Sequence, residues 1–506
     1  MISFLFYPIS IASSVAYSQS FEVSFATYFG GSSIEEVSEV ACSSDGSVVI
    51  VGHTNSQDLA TSEDAFQTDY SGGEWDIFVT KFDINGELVF SSFLGGSDFE
   101  HVDDVKVRSD GSIIVVGFTL SLDFPVTSDA LQSSSSGDTD GFITRISPDG
   151  TELMYSTYFG GSLGDTIRSI RLDQDENYLI AGSSASPDLA TDGAFQLQPS
   201  GGQDSFIAKI TQDGSTTIMF SYVGGEREDR VQCMTIDSSN NYILSGQTNS
   251  RDFPVTEEAF QEDNSGGWDA FLTKISSDGT SLIFSTYIGG STEDVGRGAA
   301  VNSLDEIVLV GYTNSTDFKT QSPLQPEHAG GYYDIFIYKC NSGGLTEFAT
   351  YLGGNQFDIA YAAAFDYNDR PIIIGRTLSD DFPTINPLQE QREGHLDTTI
   401  TMLASDGQTV LFSSFIGGTA EDSGESIAIQ SDEMIVISGR TASTDFPCTE
   451  NAFQTTIGGS YDVFLCRILI NTHSQNLDSM LVLFVSVFVC SIIVGGFLLA
   501  KKLRRG

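Results

Sequence analysis

One short phrase recurs along the chain and limits what the chain can fold into. It reads FSTYIGGSTED at residues 284–294. Related copies begin at Phe25, Phe90, Tyr155, Phe220, Phe348 and Phe412. Successive copies start 65, 65, 65, 64, 64 and 64 residues apart. A fixed period of this kind indicates one repeat architecture rather than several unrelated domains.

Each repeat contains four short runs that are typical of β-strands. In residues 229–288, two runs flank the turn SSNN and two flank SSDG. The Asp-Gly pair supplies the positive φ angle that a tight hairpin needs. No segment between the two ends of the chain has a sustained 3.6-residue apolar period. The sequence therefore predicts an all-β fold, a seven-bladed β-propeller with four strands per blade. A solenoid is the competing architecture, but the capped ends and shorter coils it needs are not seen.

The phase of the repeat predicts how the ring closes. The first copy of the phrase stands alone near the start of the chain, without the hairpin partner that precedes the other copies. The last repeat ends near residue 470 without a following copy. We predict that an N-terminal strand, about residues 22–29, becomes the outermost strand of the last blade, whose other strands come from residues 422–469. This pairing would remove open strand edges.

The composite motif resembles a known repeat. The stretches YSTYFGGS (155–162), TNSRDFPVTEEAFQ (248–261) and GGWDAFLTKISSDGTSLIFSTYIGG (266–290) are similar to the SBBP repeat, named for a seven-bladed β-propeller. The resemblance covers roughly residues 21–470. It implies a propeller fold and an extracellular or surface location, as in the bacterial and archaeal proteins that carry such repeats. It implies no activity.

The two ends of the chain differ from the repeats. Residues 1–18 are first apolar and then small and polar, which predicts a cleaved signal peptide, with an apolar first strand as the alternative. Residues 480–500 form an uncharged apolar run of 21 residues, followed by the basic tail 501–506. This pattern predicts a single transmembrane helix with a cytoplasmic tail. The expected order is signal 1–18, ectodomain 19–470, linker 471–479, helix 480–500 and tail 501–506.

Charge and cysteine content narrow the classes of partner and cofactor. The formal charge of −46 excludes nucleic acid as a partner and favours cations or basic partners, although acidity also serves solubility alone. No C-x-x-C pair occurs, so a zinc or redox site is not expected. Cys448 and Cys466 share one repeat and are the one possible disulfide pair. No cofactor is expected, and calcium is the alternative.

Two columns of acidic residues recur in every repeat. The first stands four residues after the second Gly of each phrase and comprises Glu35, Glu100, Asp165, Asp229, Asp294, Asp358 and Asp422. We predict either a ring of carboxylates that attracts or binds calcium, or a loop-fixing device repeated in each blade. The second column opens the third strand and comprises Asp76, Asp140, Asp204, Asp269, Asp334, Asp397 and Asp462. Turn fixation is the main hypothesis for it, and loop-bound calcium the alternative.

One column varies while its neighbours stay fixed. It lies three residues after the first acid and comprises Ser38, Asp103, Arg168, Gln232, Arg297, Tyr361 and Glu425. Because it lies on the innermost strand, we predict that it lines the central mouth and binds ligand. Arg168 and Arg297 either grip a carboxylate or sugar acid or neutralise the neighbouring acids. Trp75, Trp268, Tyr332 and Tyr333 are either stacking surfaces for carbohydrate or wedges between blades.

Catalytic motifs are missing from the repeats. The G-x-S-x-G match at residues 160–164 is one copy of the recurring phrase and lacks the strand-to-helix context of a nucleophile elbow. We therefore expect no enzyme. The sequence favours a membrane-anchored surface binding or adhesion module for a glycan or protein ligand. A structural envelope component is the first alternative, and an extracellular carbohydrate-active enzyme is the second.

Overall fold

The computed structural model describes residues 17–431 and 433–474, and its regular elements there are all β-strands. None of these residues forms a helix that could cross a membrane. The predicted helix 480–500 and tail 501–506, with most of the signal 1–18 and part of the linker 471–479, lie outside the described residues. The chain divides into two compact units, Val23–Leu469 and a second of Met1–Glu22 with Ile470–Gly506. The description below concerns the first unit and the strands that enter it.

The strands follow one another with the regularity that the repeat predicts. The first described strand is β1 (Tyr17–Phe29). Blade 1 consists of β2 (Glu35–Cys42), β3 (Val48–Thr54), β4 (Asp76–Phe82) and β5 (Leu88–Leu94). Blade 2 consists of β6 (Glu100–Val107), β7 (Ile113–Thr119), β8 (Asp140–Ile146) and β9 (Leu153–Phe159). Blade 3 consists of β10 (Asp165–Leu172), β11 (Tyr178–Ser184), β12 (Asp204–Ile210) and β13 (Thr217–Val223).

The remaining blades have the same composition. Blade 4 consists of β14 (Asp229–Ile236), β15 (Tyr242–Thr248), β16 (Asp269–Ile275) and β17 (Leu282–Ile288). Blade 5 consists of β18 (Asp294–Val301), β19 (Ile307–Thr313), β20 (Asp334–Cys340) and β21 (Thr346–Leu352). Blade 6 consists of β22 (Asp358–Phe365), β23 (Pro371–Thr377), β24 (Asp397–Leu403) and β25 (Val410–Ile416). Blade 7 contributes β26 (Asp422–Ser431), β27 (Met434–Thr441) and β28 (Asp462–Ser474).

The sheets confirm the seven-bladed propeller. Each of the seven sheets has four strands, and in blades 1 to 6 the strands are ordered as in the chain and paired antiparallel. The first strand of each blade contacts the first strand of the next, and β26 contacts β2. These innermost strands therefore form a closed ring around a central channel, and the prediction of an all-β ring rather than a solenoid is confirmed.

The predicted closure by the N-terminal strand is also confirmed. The seventh sheet has the order β1-β28-β27-β26, so β1 is its outermost strand. The Tyr28 hydroxyl donates to the Ser443 carbonyl at 2.7 Å, across 415 residues of sequence. The backbone N–H of Thr449 donates to the Ala26 carbonyl. β1 begins at Tyr17, inside the predicted signal segment, and β28 extends to Ser474, past the predicted end of the ectodomain.

The hydrophobic core lies between neighbouring blades. Side chains alternate across each strand, so each sheet presents apolar residues to both adjacent sheets. One cluster joins blade 2 to blade 3 through Ile114, Ile143 and Phe206. Another joins blade 7 to blade 1 through Val436 and Phe78, so the closing junction is packed like the others. Burial on both faces holds the strands rigid and fixes which side chains reach the channel.

Candidate functional site

A β-bulge places the variable column in every blade. The register between the first and second strands shifts at the same position in every blade, for example between Gly296 and Gly298 on β18. The bulged residues are Ser38, Asp103, Arg168, Gln232, Arg297, Tyr361 and Glu425. A bulge inserts an extra, unpaired residue and re-aims its side chain. The residue that varies in sequence is therefore the residue that has no partner in the strand pairing.

These seven side chains meet in one cavity. All of them line a central channel of about 710 Å³. This volume lies within the range of ligand pockets for small molecules. The seven side chains thus face one cavity, and that this cavity is a ligand-binding mouth stays a prediction.

A second variable column in the channel was missed by sequence reasoning. It is the penultimate residue of the second strand, between an invariant Gly and a Thr or Ser, and comprises His53, Phe118, Ser183, Gln247, Tyr312, Arg376 and Arg440. His53, Arg376 and Arg440 line the same cavity. Variation inside the G-x-T/S pattern was a usable signal, of the same kind that identified the first column.

The side of the channel formed by blades 7, 1 and 2 is a network of paired charges. Arg440 forms an ion pair with Glu36 and lies 3.6 Å from Glu425. A hydrogen bond from His53 and the Arg440 charge lower the pKa of Glu36 to about 2. Burial and the Glu36 charge raise the pKa of Glu425 to about 7. Arg168 donates to Asp103 at 2.6 Å. Arg168 therefore neutralises a channel carboxylate and not, as one sequence hypothesis proposed, the first acidic column.

The opposite side, formed by blades 5 and 6, has arginines without carboxylate partners. The guanidiniums of Arg297 and Arg376 lie 5.6 and 5.2 Å from the Tyr361 ring centroid. Arg297 also reaches the Gln232 side chain at 3.5 Å. Within the part of the chain that the structure describes, neither forms an ion pair, and the Nε of each is buried without a hydrogen-bond partner. This pair of cations is therefore available to a ligand.

Deeper in the channel the two sides also differ. On blades 2 and 3, Asp104 accepts hydrogen bonds from Lys106 at 2.8 Å and Arg171 at 2.7 Å. On blades 5 and 6, the equivalent lining residues are small, Gly298 and Ala362. A Cβ atom at position 298 would lie 2.6 Å from the Cα of Ala362, so the two strands approach too closely for a side chain there.

The first acidic column does not form an exposed ring. Glu35, Glu100, Asp165, Asp229, Asp294, Asp358 and Asp422 are each 0 or 1% exposed. Asp294 is representative, since its carboxylate accepts hydrogen bonds from the Gly290 N–H at 2.7 Å and the Ser315 hydroxyl at 2.9 Å. Its own N–H donates to the carbonyl of Trp268, in the preceding blade. The carboxylates fix the connection between blades, which is the structural alternative that the sequence left open.

The second acidic column lies beside the first at each junction. Asp269 accepts hydrogen bonds from the Ser265 N–H at 2.9 Å and the Gln261 side chain at 2.7 Å. A Cβ on Gly289 would lie 2.8 Å from Asp294 and 2.9 Å from Asp269, so the two carboxylates flank a glycine that has no room for a side chain. Burial raises the pKa of Asp269 to about 7 and that of Asp294 to about 6. Each junction thus holds a buried acid pair.

The described residues contain neither a metal-binding cluster nor a disulfide bond. In ranges 17–431 and 433–474, no group of three or more His, Cys, Asp or Glu side chains is arranged to hold a metal ion. Cys42, Cys233, Cys340, Cys448 and Cys466 are free thiols. The possible Cys448–Cys466 disulfide is therefore a wrong expectation. Cys466 points into the buried interior of blade 7, while Cys448 lies in a loop.

The four aromatic residues at the ends of the long connections have different environments. Trp75 packs edge-on against His53 at 5.1 Å, and Arg230 lies 5.4 Å from the Trp268 ring. These two are half-buried. Tyr333 contacts Tyr312 at 4.6 Å between ring centroids, while Tyr332 is 61% exposed. Of the four, Tyr332 is thus the one that offers an open ring surface.

Comparison with known proteins adds little beyond the fold. The chain matches no protein-family model, so the SBBP resemblance stays a prediction. It is 27% identical over 304 residues to "Regulatory protein FlaEY" of Caulobacter vibrioides. The match covers 55% of this chain but 30% of that protein, so the chain spans less than a third of this curated relative.

Solved structures are similar only at a coarse level. One is a protein of unknown function from Dyadobacter fermentans, at 10% identity and a TM-score of 0.39, covering 89% of this chain and 99% of that chain. Another is BamB from Moraxella catarrhalis, at 8% identity and a TM-score of 0.38, covering 88% and 99%. A third is the PQQ-bound aldose sugar dehydrogenase of Streptomyces coelicolor, at 12% identity and 0.35, covering 90% and 100%. The seven-bladed fold itself is established by the strand pairing.

Proposed function

We propose that this protein is a membrane-anchored surface binding module whose ligand occupies the mouth of the central channel. The carrying observation is the division between repeated and variable side chains. The repeated acids are buried at the junctions, whereas the bulged residues vary among the blades and all line one cavity. A side chain needed for the fold recurs in each blade, while a binding site for one ligand breaks the sevenfold symmetry.

The proposed location follows from the sequence of the two ends. A signal at 1–18 would direct residues 19–470 outside the cell, and the apolar run 480–500 with its basic tail would anchor them. Carbonate extraction of cell membranes tests this arrangement. The full chain should remain in the membrane fraction, and a variant lacking residues 480–506 should be released. Release of both forms would contradict the anchor without affecting the binding proposal.

The binding proposal is tested with the full chain in mild detergent on a combined glycan and protein array, with and without calcium. We expect one ligand class to bind and the double substitution Arg297→Gln, Arg376→Gln or the single substitution Glu425→Gln to reduce its signal. The matched control is Ser281→Ala, at a hairpin turn outside the channel. Absence of any ligand, or equal loss in the control, would contradict a binding function at the mouth.

A second candidate, a carbohydrate-active enzyme, is favoured by one specific pair of carboxyl groups. Glu36 and Glu425 share Arg440, and their pKa values are about 2 and about 7. Two carboxyl groups with such separated pKa values are what acid–base catalysis on a glycan requires. Incubation of a bound glycan with the protein decides between the two. Product formation that Glu425→Gln abolishes supports an enzyme, and an intact glycan supports a binding module.

A further inference from the structure

We propose that the ligand is an acidic oligosaccharide, whose carboxylate or sulfate is held between Arg297 and Arg376 and whose sugar chain reaches the exposed ring of Tyr332 at the surface. This inference rests on the proposed function and specifies its ligand class. It is argued from four observations on blades 5 and 6: two cations without carboxylate partners, the ring between them, the uncharged floor below, and a row of aromatic rings that ends at the exposed Tyr332.

The two arginines differ from the other cations that line the channel. Arg168 and Arg440 have carboxylate partners, Asp103 and Glu36. Among the described residues the Arg376 side chain forms no hydrogen bond or ion pair, and the Arg297 side chain has only the long contact to a neutral amide. The Arg376 charge acts on Glu425 at longer range, without forming an ion pair. Two unpaired guanidiniums in a chain of net charge −46 are explained by an anion supplied from outside.

The shared ring holds both guanidiniums in place. Arg297 and Arg376 each lie over Tyr361, and each has a second ring beside it, Tyr312 at 5.6 Å and Phe357 at 5.6 Å. Cation–π contacts of this kind orient a guanidinium without using its N–H donors. The planar fork of donors matches a carboxylate or sulfate bidentately. The side chains are therefore positioned in advance for an oxyanion.

The floor of this sector carries no charge that would compete for the arginines. Gly298 and Ala362 stand where the opposite sector carries charged side chains, and Ala299 and Ala363 continue the small lining. Asp104, Lys106 and Arg171 occupy the other side, where their charges are already paired. The asymmetry favours blades 5 and 6 as the sector that holds the anion.

An aromatic path connects the arginines to solvent. Tyr312, which contacts Arg297, lies 4.6 Å from Tyr333, and Tyr333 lies 4.5 Å from Tyr332. Phe357, which contacts Arg376, lies 5.7 Å from Tyr333. Tyr332 is 61% exposed at the end of this path. Aromatic rings offer apolar faces with a polar edge, which suits sugar rings with their C–H faces and peripheral hydroxyls.

The experiment measures binding of the full chain, in mild detergent, to paired acidic and neutral oligosaccharides. The acidic probes are uronate oligosaccharides and sulfated oligosaccharides, and their neutral partners are the carboxyl-reduced and desulfated forms. We expect an acidic probe to bind and its neutral partner to bind at least about tenfold more weakly. A charge-assisted hydrogen bond contributes about 1.5–3 kcal/mol, which corresponds to roughly 10- to 100-fold in affinity. The preferred probe identifies carboxylate or sulfate.

The variants are chosen to separate this sector from the rest of the channel. Arg297→Gln and Arg376→Gln should each weaken binding of the acidic probe about tenfold or more, and Tyr332→Ala should weaken long probes more than a monosaccharide. Arg168→Gln tests the opposite sector of the channel. The matched control is Arg145→Gln, because Arg145 is paired with Asp110 outside the channel, and it should change affinity less than about threefold. Arg376→Lys keeps the positive charge but loses the planar set of guanidinium donors. It is the second test of this position if Arg376→Gln does not fold.

The outcomes distinguish this inference from the proposed function. Binding of a neutral glycan or a protein, lost in Glu425→Gln but not in Arg376→Gln, would overturn the acidic sugar and keep the binding module. Acidic-probe binding that depends on Arg168 but not on Arg297 or Arg376 would overturn the assigned sector. No binding of any probe on the full array would overturn both proposals.

Discussion

The junctions between blades and the mouth of the channel use the same strands for different purposes. On β18, Asp294 recurs as an acid in all seven repeats, and Arg297, three residues later, is different in nearly every one. Asp294 is fully buried and accepts hydrogen bonds from its own loop, whereas Arg297 is half-buried on a bulge and lacks a carboxylate partner. Repetition in this protein therefore marks what the fold needs, and loss of repetition marks the positions where we propose that a ligand binds.

The contrast between junctions and mouth should be largest in the dependence of stability on pH, because pH acts on the buried acids of all the junctions together. Burial raises the pKa of Asp76, Asp269 and Asp334 to about 7, and that of Asp204 and Asp397 to about 6. The folded state thus binds more protons than the unfolded chain, in which aspartates titrate near pH 4. Their stabilising contribution is complete below about pH 4 and is lost as the pH rises through 6 to 7. Thermal melts should therefore give a lower midpoint at pH 8 than at pH 5.

The same melts test whether calcium occupies the acid pairs. We expect excess EDTA to leave the midpoint unchanged at pH 8, because the junction carboxylates are hydrogen-bonded to their own loops. A midpoint that calcium raises and EDTA lowers would instead support the calcium hypothesis drawn from the sequence. A midpoint that is equal or higher at pH 8 in EDTA would contradict the raised pKa values.

Two substitutions on one strand give the next largest difference. Asp294→Ala removes the acceptor for Gly290 and Ser315 and should lower the free energy of unfolding by about 3 kcal/mol or more, since it leaves buried donors unpaired. Arg297→Ala should change it by less than about 1 kcal/mol, because the guanidinium has no carboxylate partner to lose. Urea denaturation measures both. Similar losses in the two variants would mean that the mouth is as structural as the junction.

A smaller effect tests whether the closing blade is as stable as the others. The hydroxyl of Tyr28 bridges Ser443 and Phe446 in blade 7, as that of Tyr351 bridges Ser315 and Phe318 in blade 5. Replacing either tyrosine with Phe should cost about 1–2 kcal/mol, the penalty for stranding a buried donor and acceptor. A much larger loss for Tyr28→Phe would show that closure limits stability. Blades 1 and 6 carry Phe at this position, so a phenylalanine side chain fits there without the hydroxyl.

The smallest effect is expected for a paired charge in the mouth. Arg168→Gln breaks the ion pair with Asp103, in which the arginine side chain is partly exposed. Partly exposed pairs contribute about 1 kcal/mol or less, and the half-buried Asp103 carboxylate keeps a second partner in His101, at 3.4 Å. Denaturation should therefore show little change. A loss comparable to that of Asp294→Ala would contradict the division between junction and mouth.

The fold could be predicted from the sequence because its signal is present seven times. Strand type, blade count and closure by β1 all follow from the period and phase of the repeat. The mouth was only half predicted: one variable column was found, and the column that includes Arg376 and Arg440 was missed. Whether an acid such as Asp294 faces solvent or is buried depends on the loop and on the preceding blade, which contributes the Trp268 carbonyl. Pairing of Arg168 with Asp103 likewise depends on the distance between bulges of adjacent blades.

Closure by β1 has a consequence for the order of folding. β1 is made before the other described strands, yet its partner β28 is made last, more than 400 residues later. Blades 1 to 6 contain only local pairings and can form during synthesis, while the seventh must wait. Until then β1 is an unpaired strand next to a growing stack of sheets, and β28 is an open edge. The pairing of β1 with β28 therefore closes a row of blades into a ring. At this step, domain swapping between two copies of the chain would compete with closure.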